Sequence, residues 1–183
     1  MMIEVKINGL FMTQTQNSGV ILKEMDGDRT LPIIIGDYEA QSIALGMENI
    51  APPRPITHDL LLSMLDTVEG TIERVLITEL KNNTYFATIM LRFGGKVLEV
   101  DSRPSDAIAL AVRRNIQIFV EEEVMRKGAY NADEMQEFDQ KQVSSTQERL
   151  EQLKKDLQDA VDKEEYERAA KIRDEIERLE PRQ

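Results

Sequence analysis

The 183-residue chain contains no cysteine. That excludes a disulfide framework, a thiolate zinc site and a cysteine nucleophile, and it fits a reducing cytoplasm. It contains one histidine, His58, so any histidine general base must be that residue. No stretch approaches the roughly 18 consecutive apolar residues of a membrane span, so no membrane association is expected. The start, "MMIEVKINGL", lacks the basic region and apolar run of a signal peptide. A basic excess is missing too. The formal charge is −11; residues 1–130 carry 13 Lys/Arg against 18 Asp/Glu, and residues 131–183 carry 10 against 16. Neither part is the basic body that grips nucleic acid by phosphate neutralisation alone. Chemistry on a phosphate would need a metal ion or a local basic patch. Phosphate-loop and dinucleotide fingerprints, HExxH and GxSxG are all absent, and "GG" at 94–95 reads as a hairpin turn.

What is there is enough for one domain with an appendage. Hydrophobic residues make up 41% and charged residues 31%, which supports a packed core. Alternating Ile3, Val5 and Ile7 predict a strand over 3–11, followed by strands at 19–25 and 29–36. Residues 37–49 are helix-like, with Ala40, Ile43, Ala44 and Met47 on one face. After "IAPPRP", Thr57 reads as the N-cap of a helix over 58–68. Strands follow at 71–80, 84–93 and 96–101, then the helix of "RPSDAIALAVRRN". "SIAL" at 42–45 lies over "AIAL" at 107–110 with an offset of 65, and the same offset lays strand on strand. The expected fold is α+β: two strand-rich βββα-like units in one mixed domain over 1–125, closed by a strand near 116–120. Residues 126–147 are polar and acidic and read as a linker. Leu150, Leu153, Leu157 and Val161, then Ala169, Ile172, Ile176 and Leu179, form two amphipathic stripes, so 148–181 reads as a helical hairpin. Helices this short are marginal alone, so the hairpin should pair with a second copy or a partner.

Two families are resembled. "LPIIIGDYEAQSIAL" (31–45), "PRPITHDLL" (53–61) and "VDSRPSDAIALAVRRNIQIFVEEEV" (100–124) resemble the bifunctional nuclease family, which is credited with hydrolysing DNA and RNA. The resemblance spans nearly all of 1–125 and implies a mixed α/β fold, nuclease activity on DNA and RNA, and a homo-oligomeric assembly. "LKKDLQDAVDKEEYERAAKIRDEIERLE" (153–180) resembles the UVR motif of bacterial excision-repair proteins and stress-response protease regulators. That resemblance implies a protein partner, with Tyr166, Ala169, Ala170, Ile172, Arg173 and Ile176 as the pairing residues. Tyr166 stands where the motif more often has phenylalanine.

The candidate chemistry lies at helix starts. His58 in "THD" sits in a first turn, where the dipole favours a neutral, proton-accepting imidazole. As structure it is simply a helix-start residue between a capping Thr57 and a dipole-supporting Asp59. Asp101, Arg103, Ser105 and Asp106 also have two readings. As a site, Asp101 and Asp106 hold a divalent metal, Mg or Mn, Arg103 clamps a phosphate, and the helix amides take a phosphate oxygen. As structure, Ser102 or Arg103 is the N-cap, Pro104 a first-turn proline, and Ser105 and Asp106 satisfy free amides. Only Arg103 then needs a partner, and Asp59 or Asp101 would serve. Glu39 is a cap-region acid or a metal ligand. Arg113 and Arg114 suit a helix C-terminus, and with Arg126 and Lys127 they form the best basic cluster for a nucleic-acid contact.

Two functions follow. The first is a metal-assisted nuclease on DNA and RNA. His58 acts as base or phosphate contact, Asp59, Asp101 and Asp106 ligate or orient, Arg103 stabilises charge, and the hairpin couples to repair or stress proteins. The second is a non-catalytic oligomeric adaptor whose hairpin recruits a partner.

Overall fold

The computed structural model describes residues 1–13, 17–131, 150–160 and 165–179. Alternating apolar side chains produce seven strands: β1 (Met2–Met12), β2 (Ser18–Glu24), β3 (Thr30–Ile34), β4 (Thr71–Lys81), β5 (Thr84–Phe93), β6 (Lys96–Ser102) and β7 (Ile118–Glu121). The order in the sheet is β3-β2-β1-β7-β4-β5-β6. Two βββα units therefore flank one short central strand. β7 runs antiparallel to β1 and parallel to β4, which makes the sheet mixed. The last strand of the domain is thus not a closing edge but the seam between the units. Tight turns fix the second unit: Asn82 and Asn83 join β4 to β5, and Gly94 and Gly95 join β5 to β6, all with positive φ.

Register places the apolar residues on one face. Ile3 lies opposite Val120, Val5 opposite Ile118, and Val75 and Ile77 opposite Ile118 and Val120 from the other side. Against this face pack Ile43 of α1 (Asp37–Met47), Leu62 of α2 (Thr57–Thr67), α3 (Pro104–Arg114), and Val124 and Met125 of α4 (Glu122–Gly128), in one continuous core. The architecture is α+β. α3 lies deepest, with residues 107–111 all buried. Its Ala107, Ala109 and Ala111 let it approach closely, and Gly46 does the same from α1. A Cβ at Gly46 would stand 2.5 Å from Val112 Cγ1. Asn115, in the left-handed region at φ 51°, closes α3.

Local details differ from the sequence reading. α1 turns Ala40, Ser42, Ile43 and Gly46 inward, whereas Met47 is exposed, because Gly46 is where α3 crosses. Thr57 is the first residue of α2 rather than its N-cap; extended Ile56 precedes it, and the Ile56 amide donates to Asp59 Oδ2 at 3.2 Å. Residues 126–131, expected to begin the linker, end α4 and pair Tyr130 with Thr30. The remaining linker residues 132–147, Val161 and the turn at 162–164 lie outside the described residues. The chain divides into two compact units. In the C-terminal one, residues 150–160 form α5, and α6 is Tyr166–Leu179. Leu153 and Ala160 are buried on α5, and Ala169 and Ile176 on α6. No described helix is long and apolar enough to cross a membrane.

Candidate functional site

The first turns of three helices meet at one cleft of about 430 Å³. α1 contributes Tyr38, Glu39 and Ser42, α2 contributes Thr57 and His58, and Arg103 and Asp106 come from the start of α3. The spacing explains the convergence. Glu39 and Ser42, and likewise Arg103 and Asp106, are three apart and share a helix face. His58 and Asp59 are consecutive, so they point in different directions from the same turn.

His58 is held at both ring nitrogens. Its Nδ1 lies 2.8 Å from Ser42 Oγ and its Nε2 3.3 Å from Asp106 Oδ1. The side chain is 13% exposed, enough to reach the cleft but not to turn freely. Asp106 accepts from Arg103 Nε at 2.6 Å and from Arg103 Nη2 at 3.0 Å. Arg103 Nη1 also lies 3.1 Å from Glu39 Oε1. Arg103 therefore finds its partners in Asp106 and Glu39, not in Asp59 or Asp101. Its side chain remains 64% exposed at the cleft mouth. Burial works against ionising Asp106, but the Arg103 hydrogen bonds and charge outweigh it and hold the carboxyl below its usual range. The same bonds raise the Arg103 guanidinium.

Behind His58 lies a buried support. Arg113, with its side chain 9% exposed, donates from Nε to Asp59 Oδ1 at 2.7 Å. Its Nη1 donates to the carbonyls of Ser42 (3.0 Å) and Ala109 (2.7 Å), and its Nη2 to Ser42 Oγ (3.1 Å). Burial opposes ionisation of Asp59, and the bonds from Arg113 and the Ile56 amide overcome it, so this carboxyl too is depressed. One unbroken chain of polar contacts thus runs Asp59–Arg113–Ser42–His58–Asp106–Arg103–Glu39 and ties α1, α2 and α3 together.

Of the residues singled out from sequence, His58, Arg103 and Asp106 line the cleft together and Asp59 stands behind it. Asp101 does not join them: it stays exposed on edge strand β6, outside the cleft lining. Asp106 gives its oxygens to Arg103 and His58 rather than to helix amides. Among the described residues no three of His, Asp and Glu gather into a group suited to a metal ion. Asp101 and Asp106, expected to share a divalent Mg or Mn ion, do not line the cleft together. Arg113 is spent on internal contacts; Arg114 is half-exposed and pairs with Asp66. On α6, Tyr166, Ala170 and Arg173 are exposed, Ile172 is half-buried, and Ala169 and Ile176 are buried.

Ser42 is the site residue that sequence reasoning missed, and Arg113, expected at a nucleic-acid contact, stands instead behind His58. One signal was present. In the overlay of the two units Ser42 falls on Ala107, so a hydroxyl stands where the other copy keeps a core methyl.

A family model of the bifunctional nuclease domain matches residues 20–133, and one of the UvrB/uvrC motif matches residues 147–180. An uncharacterized protein of Mycobacterium tuberculosis is 39% identical over 123 residues, 67% of this chain and 73% of that protein. Bifunctional nuclease 1 of Oryza sativa subsp. japonica is 31% identical over 116 residues, 61% of this chain and 34% of that protein. Bifunctional nuclease 1 of Arabidopsis thaliana is 33% identical over 105 residues, 55% of this chain and 32% of that protein.

Proposed function

The chain belongs to the bifunctional nuclease domain family, and from that premise we propose that it hydrolyses phosphodiester bonds of DNA and RNA in the cleft between α1, α2 and α3. The observation that carries this reading is the convergence of three helix N-termini on His58, Arg103 and Asp106. Helix starts present free amides and the positive end of their dipoles, which suits a phosphate in a chain that is acidic overall. Arg103 supplies the exposed cation at the mouth and stabilises charge on the phosphoryl oxygens as it builds up. His58 handles the proton, and Asp106 orients it through Nε2. No step named here is routed through a metal ion.

The hairpin at 148–181 extends the proposal. Tyr166, Ala170 and Arg173 form an exposed stripe on α6 for a protein partner, in the manner the UvrB/uvrC motif match supports, and repair or stress-response proteins are the partner class. The domain division belongs to the same proposal, with the first domain extended from 125 to 131 by α4 and the Tyr130 bridge. Exposed Leu60 and Met64 on α2 and Val68 just after it, with Val97, Leu98 and Val100 on β6, support a homo-oligomer. The absence of cysteine supports a cytoplasmic setting.

A non-catalytic adaptor is the second reading. The pairing of Arg103 with Asp106 and Glu39, which leaves the cleft's charges matched within the chain, favours it. One assay decides. Wild type and His58→Ala are incubated with plasmid DNA and single-stranded RNA, with Mg²⁺, with Mn²⁺ and with chelator. The nuclease reading expects cleavage by wild type and loss in the variant; cleavage by both at equal rates removes His58 from the chemistry, and no cleavage by either supports the adaptor.

A further inference from the structure

The hydrogen-bond directions around His58 settle which proton it can take. Arg113 only donates, so Ser42 Oγ accepts from Arg113 Nη2 at 3.1 Å. Asp106, held ionised by Arg103, only accepts, so the hydrogen of a neutral His58 ring sits on Nε2 and is donated to Asp106 Oδ1 at 3.3 Å. Nδ1 then carries the lone pair, and the Ser42 hydroxyl donates to it at 2.8 Å. In this tautomer a water in the cleft meets no free basic nitrogen on His58. The one proton aimed at the imidazole lone pair belongs to Ser42. Ser42 is only 6% exposed, yet it forms part of the cleft wall beside Arg103.

From this geometry, and resting on the nuclease reading above, we infer that Ser42 is the nucleophile and carries the phosphoryl group covalently during the reaction. Hydroxyl, imidazole and carboxylate form the constellation of serine hydrolases, with the two ring nitrogens exchanged. In the first step the Ser42 proton passes to His58 Nδ1. The Oγ–P bond forms as the bond from phosphorus to the leaving sugar oxygen breaks, and that oxygen takes a proton from solvent water, leaving hydroxide. Asp106 balances the imidazolium, and Arg113 stabilises Oγ as its proton leaves. In the second step water attacks phosphorus, the P–Oγ bond breaks, and His58 returns its proton to Ser42. The proton lost by the attacking water neutralises the hydroxide, so the sum is one phosphodiester plus one water giving a phosphomonoester and an alcohol. A protein-borne nucleophile needs no 2′-hydroxyl, so the same step serves DNA and RNA.

Stereochemistry at phosphorus tests the inference on the wild-type full chain. A chiral phosphorothioate dinucleotide is cleaved in heavy-oxygen water and the product configuration is determined. Two displacements give net retention, which the Ser42 route predicts; inversion means direct attack by water and overturns it. Ser42→Ala should cut about a thousandfold more slowly or worse while still binding a labelled oligonucleotide. A Ser42→Ala rate within tenfold of wild type also overturns the inference. If wild type cleaves neither DNA nor RNA, the nuclease reading fails and the inference falls with it, whereas cleavage with inversion contradicts the inference alone.

Discussion

Arg113 Nε stands 2.7 Å from Asp59 Oδ1, joining the last turn of α3 to the first turn of α2 across 54 positions of sequence. This pair sets the wall behind His58. The neighbouring guanidinium nitrogens hold the Ser42 carbonyl and hydroxyl, so the same cation also fixes α1.

Removing that cation should therefore be expensive. Arg113→Met leaves Asp59 without its charge partner and the Ser42 carbonyl with one donor fewer. Loss of one member of a buried pair costs about 3–5 kcal/mol, and Asp59 is partly solvated, so a value at the lower end is expected in urea unfolding. Asp59→Asn in the Arg113→Met background should add little, because the two share one interaction. Full additivity in the double-mutant cycle would contradict the pairing.

Arg103 should behave in the opposite way. Its pairs with Asp106 and Glu39 lie at the cleft mouth, and exposed pairs contribute only about 0–1 kcal/mol. Arg103→Ala should leave the urea midpoint nearly unchanged while kcat/KM on an oligonucleotide falls about a hundredfold or more. Arg103→Lys should restore only part of it, since an ammonium cannot make the two-pronged contact a guanidinium makes. A large loss of stability with unchanged turnover would contradict a substrate role.

Acid sensitivity follows in part from the depressed carboxyls of Asp59 and Asp106, beside those of Glu24, Glu122 and Glu123. Asp59 and Asp106 both ionise more readily in the folded chain than an ordinary Asp, whose unfolded value is about 3.9. A depressed group stabilises the fold above its unfolded value, and that contribution is lost as pH falls through the folded value. Stability should thus be flat above about pH 5 and decline below about pH 4. Asp59→Asn and Asp106→Asn should each make the decline shallower, read as urea midpoints over an acid series. An unchanged slope in both would mean that neither carboxyl is linked to folding.

Gly46→Ala tests how closely α1 and α3 must approach. The added methyl would meet Val112 Cγ1 at 2.5 Å and Arg113 Nη1 at 3.2 Å. Both neighbours are packed, so overpacking should destabilise by about 1–3 kcal/mol and lower activity by shifting Arg113 and Ser42. Wild-type stability in this variant would mean that the helices can separate freely.

Much of this arrangement was legible in the sequence, and the parts that were not share a cause. Period-two and helical spacing located the strands and the helices at 37–47, 57–67 and 104–114, because local burial dictates them. The position of β7 was not legible. Its parallel partner β4 is about 40 residues away, and four apolar-alternating residues do not say which strands will flank them. His58, Arg103 and Asp106 were found because polar groups ahead of apolar runs stand out. Ser42 was hidden among small residues of α1, and Arg113 had an adequate local explanation in the helix dipole. Asp101 misled for the opposite reason: it is close to Asp106 in sequence, but it ends an edge strand while Asp106 starts inside α3.

The central claim is that one cleft cuts both DNA and RNA. The direct measurement is the single-turnover rate on a labelled DNA strand and on the RNA of the same sequence, for wild type, His58→Ala and Asp106→Asn. Loss of a positioned acid–base group lowers such rates about 10²–10⁴-fold. The account predicts that each variant slows both substrates by the same factor. Persistence of either activity at the wild-type rate in His58→Ala would contradict it.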